Sequence, residues 1–128
     1  MRHSVLIVVG GLSVLTAAYM LSAPQHWYDS VPGVAETGPM NRHFATDVAL
    51  AYLASGAALL WAGVRQDRTA GICGAFWLVL HALFHIWIWL HRGAPADVLA
   101  LTNLVGIQIP AFAGLLAALT LTPERTRP

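Results

Sequence analysis

Ala70-Gly-Ile-Cys-Gly-Ala-Phe-Trp-Leu-Val-Leu-His81-Ala-Leu-Phe-His85-Ile-Trp-Ile-Trp-Leu90 is an apolar run without a single Asp, Glu, Lys or Arg. A helix of this length can cross the ~30 Å hydrocarbon core of a bilayer. Three more such stretches surround it, and helices are expected over about residues 4–21, 44–64, 70–90 and 98–121. Of the 128 residues, 57% are hydrophobic and 10% are charged. A soluble domain has about 25% charged residues, so this chain has too few to cover a water-facing surface. The expectation is an all-α, four-helix transmembrane bundle forming one domain over residues 1–128, a multi-pass protein in contact with membrane lipid.

Arg2 before an apolar run resembles the start of a signal peptide. No A-x-A cleavage site follows, however, and Pro24 comes directly after Ser22-Ala23. The first stretch therefore reads as a retained helix. The chain has no lysine, and its arginines decide the topology. Arg2, Arg65, Arg68, Arg125 and Arg127 fall on one side of alternating helices, Arg42 and Arg92 on the other. The positive-inside rule then puts both termini in the cytoplasm. Trp27, Tyr28, Trp87 and Trp89 would form an outer aromatic belt, with Trp61 near the inner surface. Cys73 is the only cysteine, which excludes a dithiol mechanism within one chain.

Against this apolar background stand two i,i+4 pairs, His43-x-x-x-Asp47 and His81-x-x-x-His85. That spacing puts both members of a pair on one helix face, a turn apart. Ionisable groups in a membrane segment are costly and usually mark a functional site. The second and third helices are joined by the short turn Arg65–Thr69, so they should be antiparallel neighbours. Counting outward from Asp67 brings Asp47 close to the level of His85, and His81 to the level of Tyr52 and Leu53. Asp47 and His85 are thus expected to meet, with His43 above and His81 below. The same count on the fourth helix sets Asn103 level with His85 and Gln108 near His81, where they would orient the imidazoles by hydrogen bonds. Pro110 is expected to kink that helix. The first helix, with Ser13, Thr16 and Tyr19, reads as a packing wall.

The outer loop, Ser22–Arg42, contains Pro32-Gly33 and Gly38-Pro39 and reads as a folded cap. His26, Trp27 and Tyr28 would lie over the site, and Asn41 would cap the second helix. The set His43, Asp47, His81 and His85 offers three imidazoles and a carboxylate. Such donors suit a divalent transition metal, namely zinc, iron or copper, better than magnesium or calcium. An open coordination position would make the centre catalytic, with Asp47 or His81 as general base. Haem b is the alternative cofactor. His81 and His85 share a face and cannot both be its axial ligands, whereas His43 and His85 on different helices could be. A hydrogen-bonded polar network without metal is the third possibility. His91 and Arg92 read as interfacial anchors, His3 as a solvated terminal residue, and Met20 and Met40 as packing residues.

The segment Trp27-Tyr-x-x-x-Pro-Gly-Val-x-x-Thr-Gly-Pro-x-Asn-x-His-Phe-x-x-Asp47 resembles a pattern that recurs in small bacterial inner-membrane proteins. In size and helix count the chain is also similar to the broad DoxX-like group of four-helix proteins. These resemblances imply a bacterial inner-membrane location and carry no activity with them. Small multidrug transporters rely on a glutamate in the first helix, and microbial rhodopsins on a Schiff-base lysine; both are missing here. Two functions remain in view. One is a metal-dependent oxidoreductase or hydrolase with a His/Asp site near the outer leaflet. The other is a non-catalytic accessory or structural membrane subunit. Homo-oligomers or a larger membrane complex are plausible partners; nucleic acid is not.

Overall fold

The computed structural model describes residues 1–122, and every regular element among them is helical. Arg125 and Arg127 lie outside the described residues. Helix α1 spans Arg2–Ser22, α2 Pro24–Ser30, α3 Arg42–Arg65 and α4 Arg68–His91. A fourth long helix runs from Val98 to Leu119, in three parts: α5 (Val98–Asn103), a π-helical turn (Leu104–Gln108) and α6 (Ile109–Leu119). These four long helices are apolar and long enough to cross a membrane. They pack as a ring: α1 on α3, α3 on α4, α4 on α6, and α6 back on α1.

The helix starts are written in side chains. Asn41, Asp67 and Asp97 each accept the backbone N–H three residues on, at 3.0, 3.0 and 2.8 Å, and so cap α3, α4 and α5. A capping oxygen satisfies one of the N–H groups that a helix start leaves unpaired. Asn41 acts as the sequence led one to expect, and His43 falls in the first turn of α3.

Small residues bring the helices together. A Cβ added at Gly10 would lie 2.8 Å from the Leu60 nitrogen and 2.9 Å from the Gly56 oxygen, so the α1 and α3 backbones touch there. Gly74 of α4 is equally close to Leu59 and Ser55 of α3. With no hydrophobic drive between helices in lipid, such contact is what holds a bundle together. The core is alanine-rich (Ala45, Ala49, Ala62, Ala75, Ala82, Ala118), while Leu15, Phe76, Phe84, Leu101 and Leu116 point outward. Large apolar side chains outside and small ones inside make an exterior suited to acyl chains.

The predicted cap is more ordered than a turn-rich loop. Ala23–Thr37 contains α2 and a one-turn 3-10 helix, Ala35–Thr37. The Tyr28 hydroxyl donates to the Gly38 carbonyl at 2.7 Å, closing the segment on itself. Tyr19, near the C-terminal end of α1, holds α2 through His26 Nδ1 and Ser30 Oγ.

Candidate functional site at the His81 cavity

His81 and His85 lie one turn apart on α4 with ring centroids 4.6 Å apart. The Trp77 indole stacks on His81 at 4.9 Å and 9° between planes. Tyr52, reaching across from α3, stands edge-on to both, at 4.8 Å from Trp77 and 5.9 Å from His81. The level of Tyr52 and His81 matches the count outward from Asp67. These four rings form one aromatic cluster between α3 and α4, and each is partly buried.

Beside this cluster is a cavity of about 290 Å³. Tyr52 and His81 form one wall, Ser13 and Thr16 of α1 another, and the π-helical turn with Pro110 and Ala111 a third. The Ser13 hydroxyl donates to the Val9 carbonyl at 2.9 Å. Val105 and Gly106 line the cavity and are also exposed, so it lies next to the bundle's outer surface there. The first helix is therefore more than a packing wall. Ser13, Thr16 and Tyr19 recur at three-residue intervals, which keeps them near one face, and that spacing was the available signal.

The π turn has a physical cause. Pro110 has no N–H to give the Gly106 carbonyl, and its ring crowds the preceding turn. The helix widens there, and the Ile109 N–H reaches back five residues to Leu104. Single π turns inside α-helices occur frequently at functional sites. The expected kink at Pro110 thus takes the form of an expanded turn facing His81.

His43 and Asp47 lie elsewhere. His43 Nε2 is 3.4 Å from Asp47 Oδ2, and the side chains are 89% and 59% exposed. Within α3 the buried positions are Ala45, Ala49, Ser55, Gly56, Leu59, Ala62 and Gly63, which leaves 43 and 47 on the opposite side. The expected meeting of Asp47 with His85 does not occur; the ion-pair partner of Asp47 among the described residues is His43. Depth followed from counting, but rotation about the helix axis did not. Among the described residues no three His, Cys, Asp or Glu side chains gather closely enough to hold one ion within a single chain. The site is two pairs, one inward and one outward.

Asn103 ends α5 and Gln108 ends the π turn; both are partly buried, and the cavity wall between them is Val105, Gly106 and Ile107. His26, Trp27 and Tyr28 are all on α2, outside the cavity lining, with His26 engaged by Tyr19 and Tyr28 by Gly38. His91 is exposed and bonded through Nδ1 to the Trp87 carbonyl at 2.8 Å, as an anchor at the helix end would be. Cys73 is free and exposed. No family model, curated protein or solved structure matches this chain.

Proposed function

We propose that this chain is a multi-pass protein of the bacterial inner membrane that binds a lipid-soluble, ring-sized molecule beside His81. The observation that carries the reading is a partly open cavity with hydrogen-bonding groups on α1, α3 and α4, bordered on its remaining side by a helix widened at a π turn. Pockets for small ligands are mostly apolar with a few convergent polar groups, and this one has that make-up. Tyr52 and His81 would hydrogen-bond a carbonyl or hydroxyl of the ligand, and Leu12, Leu78 and Ile107 would pack on its ring. Such a molecule partitions into the bilayer and would enter from it. Whether the bound molecule is transformed or only held separates the enzyme from the accessory subunit.

Protein purified in mild detergent, extracted with organic solvent and analysed by mass spectrometry tests this. Wild-type protein should release a defined lipid-soluble compound in near-stoichiometric amount. Ala111→Phe, which fills the cavity from a fully buried position, should release little of it. His81→Ala should release several-fold less. Equal recovery from all three proteins would defeat the reading.

A second reading rests on the spacing of His81 and His85. Two imidazoles a turn apart on one face offer two ligands to zinc, iron or copper, with further positions left to water or the bound molecule. Elemental analysis and an optical spectrum of the purified protein separate these metals from one another and from haem b. If metal is bound there, His85→Ala should remove most of it while the bundle still inserts, because no single ligand drives burial of four apolar helices. His91→Ala should leave the content unchanged.

A further inference from the structure

The outward face of α3 repeats in a pattern that a single chain does not use. His43, Asp47, Leu50, Ala54, Ala57 and Trp61 recur at alternating intervals of four and three residues, and all six are exposed. That interval is the heptad seam along which two helices pack. Leu50 and Trp61 are 49% and 57% exposed, and Ala54 and Ala57 between them would let two backbones approach.

The upper end of this seam is what a lipid-facing helix should not carry. Helix α3 has 24 residues and is about 36 Å long, against a hydrocarbon core of ~30 Å. Asp47 begins about 7.5 Å down from Arg42, which takes it a few Å inside the hydrocarbon boundary if the helix is centred. A carboxylate there, facing away from its own bundle, needs an opposing polar surface. A second copy inserted with the same topology supplies one, because the dyad then runs along the membrane normal and equal depths meet. His43 of one copy then faces His43 of the other, and one turn deeper Asp47 faces Asp47. Two carboxylates so close repel each other unless a cation lies between them.

We propose that two copies of this chain pack along the outward face of α3, and that the two His43–Asp47 pairs form one four-donor site for a zinc-class cation across the dyad. Two imidazole nitrogens and two carboxylate oxygens make a set that tetrahedral zinc accepts. Each chain supplies half of it, in keeping with the lack of a three-ligand group within one chain among the described residues. The inference is independent of the His81 cavity, which faces inward.

The test uses the full chain in lipid nanodiscs with zinc chloride as probe. Mass measurement by light scattering should give a dimer, and zinc analysis after dialysis should give one ion per two chains. His43→Ala should lose the zinc. Ala57→Trp should give a monomer that has lost the zinc although both ligands remain; a bulky residue on a lipid-facing surface leaves the fold of the chain itself undisturbed. In a Cys73→Ser background, Leu50→Cys should cross-link two chains on oxidation, and Leu83→Cys, exposed on α4, should not. A monomeric wild type, zinc retained by monomeric Ala57→Trp, a dimer that takes up no zinc, or cross-linking that does not favour Leu50→Cys would each overturn the proposal.

Discussion

Asp97 shows how much a single residue outside the membrane can organise. Its carboxylate accepts the Ala100 N–H at 2.8 Å and the Arg92 guanidinium at 2.7 Å, tying the end of α4 to the start of α5. The Ala100 N–H holds its pKa below the ordinary Asp value, partial desolvation opposes this, and Arg92 adds to it. A carboxyl whose pKa is lowered on folding stabilises the folded state when ionised. That contribution is complete above the unfolded value, about 3.9, and is lost as pH falls through the lower folded value. Hydrogen exchange should therefore find the Ala100 amide equally protected from pH 7 to pH 5 and progressively less so below pH 4. Asp97→Asn should flatten that acid limb, since an amide does not titrate; an acid loss that survives the substitution would assign it to another group. Asn41 and Asp67 perform the same capping task at the starts of α3 and α4. Caps of this kind are legible from sequence because a short polar side chain before an apolar run has few other uses.

At the scale of helices, the contacts depend on where a side chain is missing. Gly10 and Gly11 are neighbours in α1 with opposite surroundings: a Cβ at Gly10 would strike the α3 backbone, and one at Gly11 would meet nothing within 4 Å. Gly10→Ala should push α1 away from α3 and destabilise the bundle by roughly 1–3 kcal/mol. Gly11→Ala should be neutral or stabilise by up to about 1 kcal/mol, as alanine is the better helix former. Unfolding of both variants in mixed micelles measures the difference, and equal effects would remove close backbone contact as the basis of this pair. The same comparison explains what the sequence concealed. Helix positions and depths could be read from apolar length and from the short Arg65–Thr69 turn, and the pairing of Tyr52 with His81 followed. The rotation of α3 could not. In a soluble helix the polar stripe marks the outside, but here Leu50 and Trp61 face out while Ala49 and Gly56 face in, so hydrophobicity does not distinguish the sides. Residue size does so only in part, since Ala45, Ala49 and Gly56 face in but Ala54 and Ala57 face out and Leu59 is buried. The π turn was foreseen as a kink from Pro110, but its effect on which residues face the cavity depends on one extra residue per turn, which no periodicity announces.

The molecule as a whole has two unlike ends. Arg2, Arg65 and Arg68 gather at one, where the Arg2 guanidinium donates to the Thr120 carbonyl and joins the start of α1 to the end of α6. Arg42 and Arg92 are at the other, at the start of α3 and the end of α4. Arg125 and Arg127 follow α6 in the sequence, so counting by alternating helices gives five arginines with Arg2 against two. Positively charged segments are retained in the cytoplasm, so that end should face inward and the cap outward. A fluorescent protein fused after Pro128 should fold and fluoresce in the cytoplasm. Alkaline phosphatase, which matures only in the periplasm, should be active when inserted at Gly38 in the cap and inactive when fused at the C-terminus. Replacing Arg65 and Arg68 by alanine reduces the bias to three against two, and a fraction of the chains should then insert in the reverse sense, seen as phosphatase activity from the C-terminal fusion. Activity of that fusion in the unaltered chain would invert the assignment and put the cap and the His43–Asp47 pair at the cytoplasmic surface.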